Sequence, residues 1–173
     1  MKLPDVEGWL TQAEGDLLAR CCEEAPSGAI VELGSYVGLS TIVMARTGRF
    51  IHSIDPHEGT MHDPPIYPPS WDKFKNNLWL HDVHRQVIAI RACSTEVRWH
   101  SPIAFLYIDA EHTYAAAKAD YEHFAPYLME GSLVGFHDYG EPGCPGITRY
   151  VDEELSHLSM VALADHLIVL RGK

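Results

Sequence analysis

Two stretches of this chain place ionisable side chains directly behind apolar runs. In IAFLYIDAEHTY (103–114), six mostly apolar residues run into Asp109, Glu111 and His112. In SLVGFHDY (132–139), a second apolar run ends at His137 and Asp138. Carboxylates and imidazoles are the side chains that hold polar ligands and move protons near neutral pH. Two buried strands that each stop at such groups imply a site along the carboxyl edge of a sheet, where open α/β folds bind their ligands.

A third stretch has the form of a ligand-binding turn. In VELGSYVGLS (31–40), an apolar strand ends, Gly34 and Gly38 bracket a tight turn, and a helix begins. Glycine lets the backbone come close to a ligand, and a helix start offers free N–H groups. The spacing is not G-x-G-x-x-G, so a pyrophosphate-binding turn is disfavoured. Glu32 stands at the strand end, where it suits a cationic or amino-bearing ligand better than a phosphate. The next strand ends in Asp55, a position from which an acid accepts hydrogen bonds from ribose hydroxyls. Each feature has a plainer reading: a generic strand–helix turn, a helix-capping or turn aspartate, and a His112 that only caps the helix after it.

The elements that carry these residues follow from hydrophobic period and punctuation. A helix is expected over 11–24, opened by a Thr11/Glu14 capping box and ended by Pro26, Ser27 and Gly28. Strands are expected over 29–33, 50–54, 86–90, 103–108 and 132–136. Helices are expected over 39–46, 71–81, 113–129 (bent or ended near Pro126) and 147–156. Segments 160–164 and 166–170 are too close for a parallel crossover and form a hairpin. The fold class is therefore α/β: a Rossmann-like, doubly wound, mostly parallel seven-stranded sheet with an antiparallel C-terminal hairpin. Residues 1–173 are read as one domain with an N-terminal helical segment, 1–28. The proline-rich loop 57–70 is a candidate lid. Trp9, Trp79 and Trp99 are assigned to packing.

Composition narrows the partners. The chain has 173 residues, 46% hydrophobic and 21% charged, with a net charge of −11. That balance disfavours nucleic acid and anionic membrane surfaces, both of which need a basic face. The longest apolar run is far short of the roughly 18 residues of a membrane span. The N-terminus has no signal-peptide core, and the four cysteines form neither a disulfide framework nor a zinc pattern. A cytoplasmic setting is expected.

Taken together, these motifs resemble the class I S-adenosylmethionine-dependent methyltransferases. VELGSYVGLSTIVMA resembles the first motif of the catechol-type O-methyltransferases. IDAEHTY, GFHDY and CPGITRYVDEEL look more like the macrocin-type sugar O-methyltransferases. The resemblance spans about residues 29–155. It implies that Glu32, Gly34, Ser35, Tyr36, Gly38 and Ser40 surround the methionine end of S-adenosylmethionine. It implies that Asp55 holds the ribose, and that Cys93 and Ser94, after Ala92, edge the adenine. Asp109 would bind both the cofactor side and a divalent metal, with His112 as general base in an Asp-x-x-His motif. The second ligand pair, two acids or an acid and an amide in the family, is His137-Asp138 here. Either His137 joins Asp109 and Asp138 as a ligand, or it stands behind them.

The physical case agrees with that reading. Methyl transfer from a sulfonium is an in-line displacement with a good leaving group, so the main task is alignment. The acceptor hydroxyl must also lose a proton, which a divalent cation and a nearby imidazole both promote. Oxygen donors favour Mg²⁺ or Mn²⁺, and an added imidazole favours Mn²⁺ or a later metal. The expectation is a methyltransferase (EC 2.1.1.-) acting on a small-molecule hydroxyl of a diol, sugar or catechol. Substrate walls supplied by a partner subunit would make it a homo-oligomer. The alternatives are a metal-independent small-molecule methyltransferase and a non-catalytic cofactor-binding protein of the same fold.

Overall fold

The computed structural model describes residues 2–59 and 68–172. Most of the candidate lid, 57–70, lies outside them. Among these residues, seven strands form one sheet: β1 (Ala29–Leu33), β2 (Ile51–Ile54), β3 (Val87–Ile90), β4 (Ile103–Ile108), β5 (Leu128–Phe136), β6 (Met160–Ala164) and β7 (Leu167–Arg171). Their order is β3-β2-β1-β4-β5-β7-β6. The first five are parallel, and β7 runs antiparallel to both β5 and β6. The expected architecture is the one found.

Among the described residues, five α-helices cover the sheet: α1 (Gln12–Glu24), α2 (Leu39–Ala45), α3 (Trp71–Leu80), α4 (Tyr114–Phe124) and α5 (Pro145–Glu154). Two apolar layers result, because successive strand side chains point to opposite faces. Leu18 of α1, Ile42 of α2 and Phe74 of α3 pack on Ile30, Phe105 and Tyr107. On the other face, Phe124 of α4 and Tyr150 of α5 pack on Val31, Leu106 and Phe136. Two acidic residues sit deep in the first layer. Glu32 has no exposed surface, and Glu14 is 1% exposed.

The register decides where the site can be. Leu33 pairs with Ile108, and Ile108 with Phe136. Pairing continues one step further: Asp109 N–H donates to Leu33 O at 2.8 Å, and His137 N–H donates to Ile108 O at 3.1 Å. The ends of β1, β4 and β5 therefore lie side by side at the point where the chain's winding reverses direction.

The helix expected over 113–129, bent or ended near Pro126, does end there: it stops at Phe124, followed by one 3₁₀ turn, Ala125–Tyr127. The strand expected over 132–136 and two of the tryptophans need correction. Pro126 lacks the N–H that a longer helix needs. The following strand therefore starts early, at Leu128, which pairs with Ile103. Trp99 is buried, but Trp9 and Trp79 are 62% and 67% exposed. The inward face of α3 is taken by Phe74 and Leu78, which leaves Trp79 outside, stacked on His84.

Gly34 is the tightest point of the turn. Its φ is +82°, and a Cβ there would meet the backbone oxygen of Asp109 at 2.1 Å. Backbone cannot retreat as a side-chain tip can. Gly34→Ala is therefore expected to destabilise the protein by about 2–4 kcal/mol, combining left-handed strain with overpacking. Urea denaturation of the variant against the wild type measures the loss. An unchanged midpoint would show that the two strand ends do not approach this closely.

Candidate functional site

The glycine turn is held from the next strand. Asp55, just past β2, accepts the N–H groups of Ser35 and Tyr36 on Oδ2 at 2.8 and 2.9 Å. Its Oδ1 accepts His57 N–H at 2.6 Å. Three backbone donors thus fix the carboxylate predicted to meet ribose. Tyr36 has a φ of +46°, and its hydroxyl donates to Glu7 at 3.1 Å. Gly38, φ +96°, stands at the start of α2. A cavity of about 260 Å³ opens beside Tyr36, with Trp9, Val37 and Lys73 in its walls.

Glu32 lies beneath the turn. Its two carboxylate oxygens accept the hydroxyls of Ser40 and Thr41, each at 2.6 Å. Burial pushes its pKa up to about 7. Sequence reasoning groups Glu32 and Ser40 with the residues around the cofactor; the structure pairs them with each other, tying β1 to the first turn of α2. Cys93 is exposed and follows β3. Ser94 donates its hydroxyl to Asp120, a buried acid on α4 that the sequence does not single out.

Asp109, His112, His137 and Asp138 meet at the ends of β4 and β5. His112 Nε2 is 2.9 Å from Asp138 Oδ2 and 3.7 Å from Asp109 Oδ1. His137 Nδ1 is 3.5 Å from Asp109 Oδ1 and 3.3 Å from Asp138 Oδ2. Tyr107, fully buried, donates its hydroxyl to Asp109 Oδ2 at 2.9 Å. Asp138 has a φ of +60°, a conformation that aspartate tolerates better than most residues. The cap of α4 is Thr113, whose Oγ1 accepts Ala116 N–H, so His112 is not needed for that task. Glu111 is exposed and takes no part in these contacts.

Two residues missed by sequence reasoning belong to this neighbourhood. Glu14, on α1, puts Oε2 3.4 Å from His137 Nε2. Cys144, at the start of α5, forms a second close group with His112 and Asp138. Cys144 stands in a Gly/Pro loop with no partner signal nearby. Glu14 is legible in the sequence only as the acid that closes a capping box with Thr11.

The electrostatics are those of acids crowded around imidazoles. For His137, burial opposes the charge, but hydrogen bonds and attraction from Asp109, Asp138 and Glu14 outweigh it and raise its pKa to about 12. Hydrogen bonds that His112 donates to Asp109 and Asp138 raise its pKa to about 9. Burial works to raise Asp109 and Asp138, yet the two histidines hold both below the usual carboxylate range. Asp109, His137 and Asp138 each offer one donor atom within 4.8 Å of the others. Octahedral donors at roughly 2.1 Å from a cation lie about 3 Å apart. The 3.3–3.5 Å contacts around His137 Nδ1 are close to that spacing, so the residues fit a small divalent ion.

The fold is that of the class I, Rossmann-like S-adenosylmethionine-dependent methyltransferases. Residues 31–139 match the model of a family described as a methyltransferase domain, and the chain belongs to that family. It is a methyltransferase. Among solved structures, it is similar to NovP, an O-methyltransferase (TM-score 0.78, 17% identity, covering 92% of this chain and 79% of that one). It is similar to CalS11, a TDP-rhamnose 3′-O-methyltransferase of calicheamicin biosynthesis (TM-score 0.69, 21% identity, 94% and 81%). It is also similar to an O-methyltransferase from Bacillus cereus solved with SAH (TM-score 0.69, 17% identity, 98% and 84%). Among the described residues, no helix is long and apolar enough to cross a membrane.

The raised histidines give a pH signature. With an unfolded value near 6.5, both stabilise the metal-free protein fully below pH 6.5. That contribution fades as pH rises, through about 9 for His112 and about 12 for His137. Melting temperature of chelator-treated protein should therefore fall between pH 7 and 9. In His112→Asn the decline should be roughly halved, since only His137 still holds an extra proton there. A decline identical to wild type would show that His112 does not titrate with the aspartates.

Proposed function

We propose that this chain is an S-adenosylmethionine-dependent O-methyltransferase of small molecules, assisted by a divalent cation, with a diol, sugar or catechol-like hydroxyl as acceptor. The observation that supports it best is the meeting of Asp109, His137, Asp138 and His112 beside the glycine turn. Asp109, Asp138 and His137 Nδ1 would hold Mg²⁺ or Mn²⁺. When bound, such a cation offsets the two aspartates and lowers the pKa of an acceptor hydroxyl.

Gly34, Ser35, Tyr36 and Gly38 form the turn around the methionine end of the cofactor. Glu32 and Ser40 brace that turn from below. Asp55 meets the ribose with the accepting capacity left on a carboxylate that already takes three backbone donors. Cys93 and Ser94 edge the adenine, Ser94 being steadied by Asp120. S-adenosylmethionine, when bound, would supply the methyl group; His112, which a cation on Asp109 and Asp138 would release from its proton, would accept the proton of the acceptor hydroxyl. A vicinal oxygen pair suits the site because one oxygen can anchor while its neighbour reacts.

One observation favours a second reading. His137, held protonated between the two aspartates, itself supplies a local cation. In that case the methyltransferase is metal-independent, and Asp109 and Asp138 serve only to orient the acceptor.

Methyl transfer to a panel of catechols, sugars and diols separates the two. The metal-assisted reading expects activity to vanish in excess EDTA and to return with Mg²⁺ or Mn²⁺. Full activity in excess EDTA would sink it. His112→Ala should lower kcat by roughly 10²–10⁴-fold, the range of a lost general base, while S-adenosylhomocysteine binding stays near wild type. A wild-type kcat in that variant would remove His112 from the mechanism.

A further inference from the structure

Glu14 is far from the other site residues in sequence and belongs to a surface helix. As the third residue of α1 it has a local task, accepting Thr11 N–H on Oε2 at 2.8 Å. That task does not require burial, since capping-box glutamates work at exposed helix starts. Here the side chain is 1% exposed, and a buried carboxylate is costly unless other groups answer it. Two groups do. Oε1 accepts His166 N–H at 2.9 Å from the turn between β6 and β7, and Oε2 faces His137 Nε2 at 3.4 Å.

The His137 ring is held on both edges. Nδ1 looks toward Asp109 and Asp138, while Nε2 is buried, makes no well-aligned hydrogen bond and looks toward Glu14. Tyr107 meets the ring edge-on at 6.4 Å. A histidine that ligates through one nitrogen usually donates its other N–H to a carboxylate, which fixes its tautomer and orientation.

We propose that Glu14 is a positioning residue: its buried carboxylate receives the Nε2–H edge of His137 and so presents Nδ1, free of hydrogen, to a divalent cation shared with Asp109 and Asp138. The inference rests on the metal-assisted reading above. It also gives α1 and the β6–β7 turn a functional task, because both are tied to the carboxylate that aims the ligand.

The test is Mn²⁺ binding to chelator-stripped protein by calorimetry, with nitrogen modulation in the electron spin-echo signal of bound Mn²⁺ as second readout. Wild type should bind one Mn²⁺ with a histidine nitrogen coupled to it. Glu14→Ala should bind roughly 10–100-fold more weakly and lose the nitrogen signal, the range for removing a carboxylate behind a ligand. Glu14→Gln, which keeps the volume, should be weakened in the same direction and decides the matter if the alanine variant does not fold. Thr11→Ala breaks the same capping box without touching His137, so it should lose stability yet keep wild-type affinity.

Equal Mn²⁺ affinity and nitrogen coupling in wild type and Glu14→Gln would overturn the proposal and leave the metal reading standing. Weakening by Thr11→Ala as large as that by Glu14→Ala would reduce Glu14 to a helix cap, and overturn it too. Mn²⁺ bound by wild type without nitrogen coupling would remove His137 as a ligand and the proposal with it. Absence of any Mn²⁺ or Mg²⁺ binding by wild type would end the metal reading itself.

Discussion

The common register of β1, β4 and β5 is the constraint on which the rest depends. The hydrogen bonds from Asp109 N–H to Leu33 O and from His137 N–H to Ile108 O carry the ladder one residue beyond each strand's partner. Three strands that stop in step must place their next residues in one row. That row is Gly34, Asp109 and His137. A shift of one residue in any strand would turn its apolar set toward the wrong layer, so the two packed layers enforce the row. Gly34 then has to be glycine, because the backbone of Asp109 occupies the space a Cβ would need. The glycine turn and the acid–imidazole cluster are therefore not separate features. They are two faces of the same register.

Concentrating charge at that row creates the second constraint. Asp109, Asp138 and Glu14 are brought around a nearly buried imidazole. Water cannot screen them fully there, so the protein must supply positive charge itself or take it from a bound cation. The raised histidines and lowered aspartates are the metal-free answer to that demand. The same residues, placed with donor atoms close together, suit a small divalent ion. A cluster that fits a proton in one state and a cation in another follows from placing acids at the carboxyl edge of a parallel sheet.

Much of this was legible because local rules and tertiary structure agree. The α1 cap is visible as Thr11 and Glu14 three apart, and the structure closes both of its hydrogen bonds. The apolar runs of β1 and β4 are bounded by glycine or by ionisable groups, so their ends are sharp. Legibility fails where local signals are equal. Helix and strand compete over 125–131, and only the pairing of Leu128 with Ile103 decides for strand. A tryptophan is apolar enough to be assigned to a core anywhere, but Trp79 lies one residue past Leu78 and so turns off the inward face of α3.

The sequence by itself determined the fold class, the glycine turn after β1 and the identities of the residues at the two charged strand ends. It could do so because each lies within a short stretch whose period and punctuation are local. The tertiary structure decided what those residues touch. It set Asp55 on the backbone of the glycine turn, paired Ser94 with Asp120, and brought Glu14 behind His137. Those contacts join residues 19 to 123 positions apart. No local pattern encodes them, because they exist only once the sheet register and the docking of α1 have fixed which distant side chains are buried together.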